Sequence, residues 1–159
     1  MPKTLVVDAA KCTACRRCEL ACSFHHTGTF SPSAARLKVE IFTEEDFYYP
    51  ITCQQCDDAP CAAVCPAGAI VRNGSTGAWE IQEARCIGCR MCIMVCPFGA
   101  AMVSVPEHRV VKCDLCGGEP ECVAFCGQGA LSVGEVGDLA APRQKAFARQ
   151  MKTLLGEAS

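Results

Sequence analysis

The chain has 159 residues, enough for one compact domain or two small ones, and a formal net charge of −2. Sixteen cysteines, about a tenth of the residues, are its strongest departure from ordinary composition. The opening MPKTLVVDAAKC lacks a basic stretch followed by an apolar one, and apolar runs are broken by Cys, Pro and Gly, so neither a secreted disulfide scaffold nor a membrane span is expected.

A strand is predicted at 4–8 (TLVVD), directly before Cys12, Cys15, Cys18 and Cys22, spaced C-x₂-C-x₂-C-x₃-C. Arg16-Arg17 lies inside this group with no apolar run behind it, which argues against a twin-arginine export signal. His25 and His26 follow and read as loop residues. LKVEIF (37–42) alternates Leu37, Val39 and Ile41 against Lys38 and Glu40, the pattern of a half-buried strand. The acidic TEED and the aromatic FYYP complete a surface strand pair, in which Phe47, Tyr48 and Tyr49 offer a partner interface as the alternative.

A second group, Cys53, Cys56, Cys61 and Cys65, is spaced C-x₂-C-x₄-C-x₃-C. Short strands at 69–72 and 78–81 then flank the turn NGSTG. The third group, Cys86, Cys89, Cys92 and Cys96, repeats the first spacing. Strands at 100–105 and 109–112 flank PEH, and the fourth group follows: Cys113, Cys116, Cys122 and Cys126, spaced C-x₂-C-x₅-C-x₃-C. A strand at 130–133 is positioned to pair with 4–8. The tail reads as a helix over 142–155, with Pro142 near its start, Gly156 past its end, and Phe147, Met151, Leu154 and Leu155 as its apolar stripe. Packing on its own domain and docking a partner are equally open roles for it.

The four groups are an internal repeat that leaves no cysteine over. Three tails match as well: CPAGAIV, CPFGAAMV and CGQGALSV each run from cysteine through two residues to Gly-Ala and apolar β-formers, whereas the first group continues CSFHHTG. Cysteines two residues apart curl a loop around one corner of a cubane cluster, and loop amides then face its sulfurs. The fourth cysteine follows one helical turn later, and the proline after Cys65 and Cys96 biases both away from helical geometry. In two-cluster ferredoxins that fourth thiolate serves the neighbouring cluster. Structural zinc usually takes two C-x₂-C pairs across a longer loop, which fits poorly here.

The hairpin 66–85 is the connection expected inside one two-cluster unit. Cys53, Cys56 and Cys61 are therefore expected to share a cluster with Cys96, and Cys86, Cys89 and Cys92 with Cys65. The outer groups then serve each other: Cys12, Cys15 and Cys18 with Cys126, and Cys113, Cys116 and Cys122 with Cys22. The expected class is α+β, two nested bacterial-type ferredoxin units holding four [4Fe–4S] clusters. The outer unit spans 1–30 and 100–135, a connecting strand segment 31–52, the inner unit 53–99, and a tail with the helix 136–159.

Sixteen thiolates on four [4Fe–4S]²⁺ cores bring the formal charge to about −10. Nucleic acid, which calls for a basic surface, is not an expected partner. Lys11, Arg16, Arg17, Arg85, Arg90 and Lys112 stand beside cysteines, either to offset that charge or as ordinary solvated side chains.

At these quartets the chain, over about residues 4–133, resembles the four-cluster ferredoxin-like subunits of multisubunit oxidoreductases, among them molybdenum and tungsten enzymes, hydrogenases and carbon monoxide dehydrogenase. CELACSFHHTGTFSPSAARLKVE looks most like the compact members that accompany tungsten-dependent aldehyde oxidoreductases. In that family crossed pairing is the rule. With no secretory signal visible, a reduced, cytoplasmic compartment is expected, where dense cysteines read as metal ligands, and the resemblance implies an electron-transfer subunit of anaerobic metabolism. Its implied partners are a tungsten-pterin catalytic subunit and a flavin/NAD subunit or soluble electron carrier.

The residues themselves offer no nucleophile–base pair, phosphate loop or G-x-G-x-x-G, so no catalytic residues are expected. A free diffusible polyferredoxin, the iron–sulfur subunit of a carbon monoxide dehydrogenase, formate dehydrogenase or hydrogenase, and an iron–sulfur sensor are the alternatives. Four complete quartets weigh against the sensor. A row of clusters ending near the surface also suggests head-to-tail self-association.

Overall fold

A computed structural model describes residues 3–135 and, beyond them, the isolated positions 144, 148 and 151. The helix expected over 142–155 lies outside the described residues apart from those three positions.

Four short helices and four two-stranded antiparallel sheets make up the described chain. Strand β1 (Lys3–Val7) pairs with the last strand, β8 (Leu131–Glu135), with Leu5 opposite Val133 and Val7 opposite Leu131. The first and last described elements therefore close on each other around everything between. Helix α1 (Arg17–Thr27) ends on Gly28, whose left-handed φ of 69° lets its N–H return to Phe24 O. Strands β2 (Lys38–Phe42) and β3 (Phe47–Ile51) form the hairpin expected around TEED.

Helix α2 (Pro60–Ala63) precedes the hairpin of β4 (Ile70–Arg72) and β5 (Trp79–Ile81). The Asn73 side chain shapes that turn by accepting from the N–H groups of Ser75 and Thr76 at 2.9 and 3.2 Å. Helix α3 (Met91–Val95), the hairpin of β6 (Met102–Ser104) and β7 (Arg109–Val111), and helix α4 (Glu121–Ala124) follow. Helix α1 packs on α4, and α2 packs on α3.

No sheet exceeds two strands, so apolar surface alone is thin. The main buried cluster joins Leu5, Leu37, Val39, Leu115 and Leu131 to Cys18, Cys22, Cys113 and Cys122. The cysteines are core residues here.

Two local expectations change. Val39 is buried, but Ile41 is 43% exposed, because the end of the β2–β3 hairpin runs past the core. His25 and His26 lie in α1, not in a loop. The serine after Cys22, in place of the proline of the second and third groups, lets the helix continue.

Candidate metal centres

The residue before the second cysteine is left-handed in every group: Ala14 (φ 54°), Gln55 (φ 48°), Gly88 (φ 70°) and Leu115 (φ 60°). Three of these are not glycine, a costly conformation. Its recurrence at one position of the repeat marks a shared wrap of the loop. Arg16 and Arg90 are left-handed as well, and each leads directly into a helix, α1 and α3.

The Gly-Ala tails have a matching explanation. Gly68, Gly99 and Gly129 are left-handed, at φ 54°, 63° and 64°. After that bend Ala69 N–H donates to Cys65 Sγ at 3.2 Å and Ala100 N–H to Cys96 Sγ at 3.4 Å. Burial pushes the Cys65 thiol up, yet the N–H groups of Ala69, Ala67, Ile70 and Gly68 together draw it below the usual thiol value. The first group lacks the tail, and Cys22 Sγ instead accepts from Arg36 N–H at 3.2 Å.

Cys53, Cys56, Cys61 and Cys96 line one small cavity of about 20 Å³. Cys65, Cys86, Cys89 and Cys92 line a second of about 20 Å³. Each is lined by three thiols of one quartet and one of the other. Cys96 is extended (φ −69°, ψ 113°) just before Pro97, which turns it out of α3.

The outer sulfurs are more deeply buried. Burial pushes Cys18 up to about 12, with Glu19 and the sulfurs of Cys15 and Cys12 adding to the rise against the Glu19 N–H. Burial likewise pushes Cys22 up to about 11, against the Arg36 N–H and with the sulfur of Cys116. Cys122 is raised further by burial and then by Cys113, Cys22, Cys116 and Cys18. Cys113 is raised by burial, against the Leu115 N–H, and by Cys53 and Cys22. Cys126 follows α4, which packs on α1, and sits half-buried against the same core as Cys12.

The sulfurs are linked through shared surroundings. Cys18, Cys22, Cys113 and Cys122 belong to one buried cluster, Cys53 packs against it, and the two lined cavities exchange thiols through Cys65 and Cys96. Of the sixteen cysteines only Cys15 and Cys89 are exposed, one toward each end of that series.

Thiols this crowded and buried do not ionise together without cations among them. Four-thiol sites with backbone N–H groups aimed at sulfur fit [4Fe–4S] clusters. His26 approaches Cys116 Sγ at 3.9 Å and Asp114 at 3.4 Å, a proximity that sequence reasoning missed. The cations beside cysteines also separate. Lys11, Arg16, Arg17, Arg85 and Arg90 are exposed, while Lys112 is 3% exposed.

Residues 45–136 match the model of the 4Fe-4S dicluster domain. The chain belongs to the 4Fe-4S dicluster family. The match spans the second, third and fourth quartets. Among curated relatives, the polyferredoxin-like subunit of aliphatic sulfonate oxidoreductase from Pyrococcus furiosus is 39% identical over 133 residues, covering 81% of this chain and 76% of that protein. The electron transport protein HydN of Escherichia coli is 34% identical over 154 residues, covering 82% and 87%. Among solved structures, a chain of the BamBC active-site complex of benzoyl coenzyme A reductase aligns at TM-score 0.50 and 25% identity, over 98% of this chain and 95% of that one. The dicluster chain is thus of the same kind as electron-transfer iron–sulfur subunits of oxidoreductases. Among its described residues no helix is long and apolar enough to cross a membrane.

Proposed function

We propose that the chain is the electron-relay subunit of a cytoplasmic multisubunit oxidoreductase. Four [4Fe–4S] clusters would be held by Cys12, Cys15, Cys18 and Cys126; by Cys113, Cys116, Cys122 and Cys22; by Cys53, Cys56, Cys61 and Cys96; and by Cys86, Cys89, Cys92 and Cys65. The units are nested, 53–99 within 1–30 and 100–135. The observation that carries this reading is the pair of cavities each lined by four cysteines drawn from two quartets. Bound clusters supply one-electron chemistry. The residues of the chain would wrap them and donate N–H groups to their thiolates.

The single exposed cysteine toward each end supports one entry and one exit for electrons. Large apolar side chains are exposed in the first and third cysteine segments: Phe24 and Phe30 stack after the first group, and Ile87, Met91, Met94 and Phe98 lie within or just after the third, with Ile87 lining the same cavity as Cys89. Such faces suit protein partners. We take these to be a tungsten-pterin catalytic subunit, on the resemblance of residues 18–40, and a flavin/NAD subunit or soluble carrier.

Anaerobic preparation with about sixteen irons and sixteen labile sulfides per chain is the expected result. Twelve or fewer irons after full reconstitution, or stoichiometric zinc, overturns the four-cluster reading. Tungsten in the co-purified complex supports the named partner. Elution of the untagged chain alone favours a diffusible polyferredoxin.

A further inference from the structure

Lys112 stands apart from every other cation beside a cysteine. It follows β7, its side chain is buried, and its Nζ donates to Trp79 O and, at 3.0 Å, to Cys113 O. Among the described residues no carboxylate lies within salt-bridge reach of it. A buried ammonium without an anion is costly. Lys112 lines the cavity of Cys53, Cys56, Cys61 and Cys96, and it also borders a cleft lined by Glu80, Glu83 and Asp114, none of which comes within salt-bridge reach of it, so the thiols are the anionic groups of the cavity it enters.

The outer sites are arranged differently. Glu19, fully buried beside Cys18, is held by Arg16 at 2.6 Å and by Val39 N–H at 2.9 Å. Asp114, beside Cys22 and Cys116, is held by Arg36 at 2.6 Å. Each acid there has its arginine, so those charges largely cancel. At the Cys53 site the cation is uncancelled.

We propose that Lys112 makes the cluster of Cys53, Cys56, Cys61 and Cys96 the most easily reduced of the four, so that electrons collect at an interior site of the relay. The inference rests on the ligand sets proposed above. The physical cause is direct. Reduction adds negative charge to the cluster, and a buried cation at its wall stabilises the reduced form more than the oxidised one. Lys112 is therefore a tuning residue: it holds neither iron nor substrate.

The test is an anaerobic redox titration, followed by electron paramagnetic resonance, of the wild-type chain, Lys112→Met and Lys112→Arg. Iron is counted in each sample, so that a failed four-cluster reading is seen separately. In Lys112→Met the highest-midpoint signal should fall, with its reduction equilibrium about tenfold or more less favourable, or about 59 mV for one electron. Lys112→Arg, which keeps the charge, should restore most of that loss. A merely structural lysine would move neither midpoint in this pattern. Unchanged midpoints in Lys112→Met, with about sixteen irons present, overturn the proposal. Should that variant lose iron, the wild-type assignment decides. Cys96→Ser must alter the spectrum of the highest-midpoint signal. If Cys12→Ser or Cys89→Ser alters that signal instead, the proposal is wrong.

Discussion

Replacing Cys22 by alanine asks which cluster a cysteine serves, and paired substitutions give a numerical answer. Cys22 is 5% exposed within α1, one helical turn after Cys18 of its own quartet. Its sulfur is close to that of Cys116, ninety-four positions later. Under the crossed arrangement Cys22→Ala strips the Cys113 site of about four irons. Adding Cys116→Ala removes a second ligand from the same cluster and should cost nothing further. Adding Cys15→Ala, in the other outer site, should double the loss, because separate sites lose independently. Where the single variant loses the whole cluster, the ratio of double to single loss is thus about one for the first pair and about two for the second. Iron and sulfide analysis of anaerobically purified protein reads it. The reverse ratios, two with Cys116 and one with Cys15, would show that each quartet holds its own cluster and would refute the nested ligand sets.

Leu37, 1% exposed at the centre of the main core, should lose about 2–5 kcal/mol of stability on change to alanine, read as the denaturant dependence of cluster absorption. Gly99→Ala forces a side chain to φ +63°, costing about 1–2 kcal/mol, and weakens the Ala100 N–H contact with Cys96; Gly74→Ala, with open space around it and no positive φ, should stay within about 0.5 kcal/mol. Removing iron with a chelator should abolish cooperative melting, because buried cysteines complete the core, and a sharp calorimetric transition in the metal-free chain would contradict this. Head-to-tail stacking would bring together chains of about −10 formal charge, so association should grow as salt screens that repulsion; light scattering showing one mass at every ionic strength ends that idea.

The repeat made most of the site legible before any coordinates. Spacing and residue pattern indicated four quartets, hairpin strands at 69–72 and 78–81, found at Ile70–Arg72 and Trp79–Ile81, and the closure of 4–8 on 130–133, because each is a local pattern repeated or mirrored along the chain. The Gly-Ala tails were visible as letters, but their purpose was not. Only the left-handed glycine and the following N–H on Cys65 or Cys96 explain them. The helical course of His25 and His26 had a signal, the missing proline after Cys22, whose consequence was not drawn. Lys112 had none. In RVVKC it reads like Lys11 in AAKC, and only its non-local acceptor at Trp79, over thirty positions earlier, distinguishes the buried cation from the solvated one.

That acceptor belongs to a joint that would give the proposed nesting a physical purpose. Gln55, 1% exposed, donates to Cys113 O at 3.0 Å and accepts from Trp79 N–H at 2.9 Å. The Trp79 indole N–H donates to Cys56 O at 2.8 Å, and Lys112 donates to both Trp79 O and Cys113 O. Three side chains thus tie the backbone of the second quartet, the hairpin after it and the first cysteine of the fourth quartet into one buried network. A tandem pair of ferredoxin units joined by one linker would leave their separation free to vary. In the proposed nesting the chain crosses between the units twice, and this network would fix the crossing where Cys53 packs against the core that contains Cys113. Electron exchange falls steeply with distance, so a relay through these sites would need that gap held fixed. Buried, fully partnered polar networks are suited to that, since they specify one arrangement more sharply than apolar contact does.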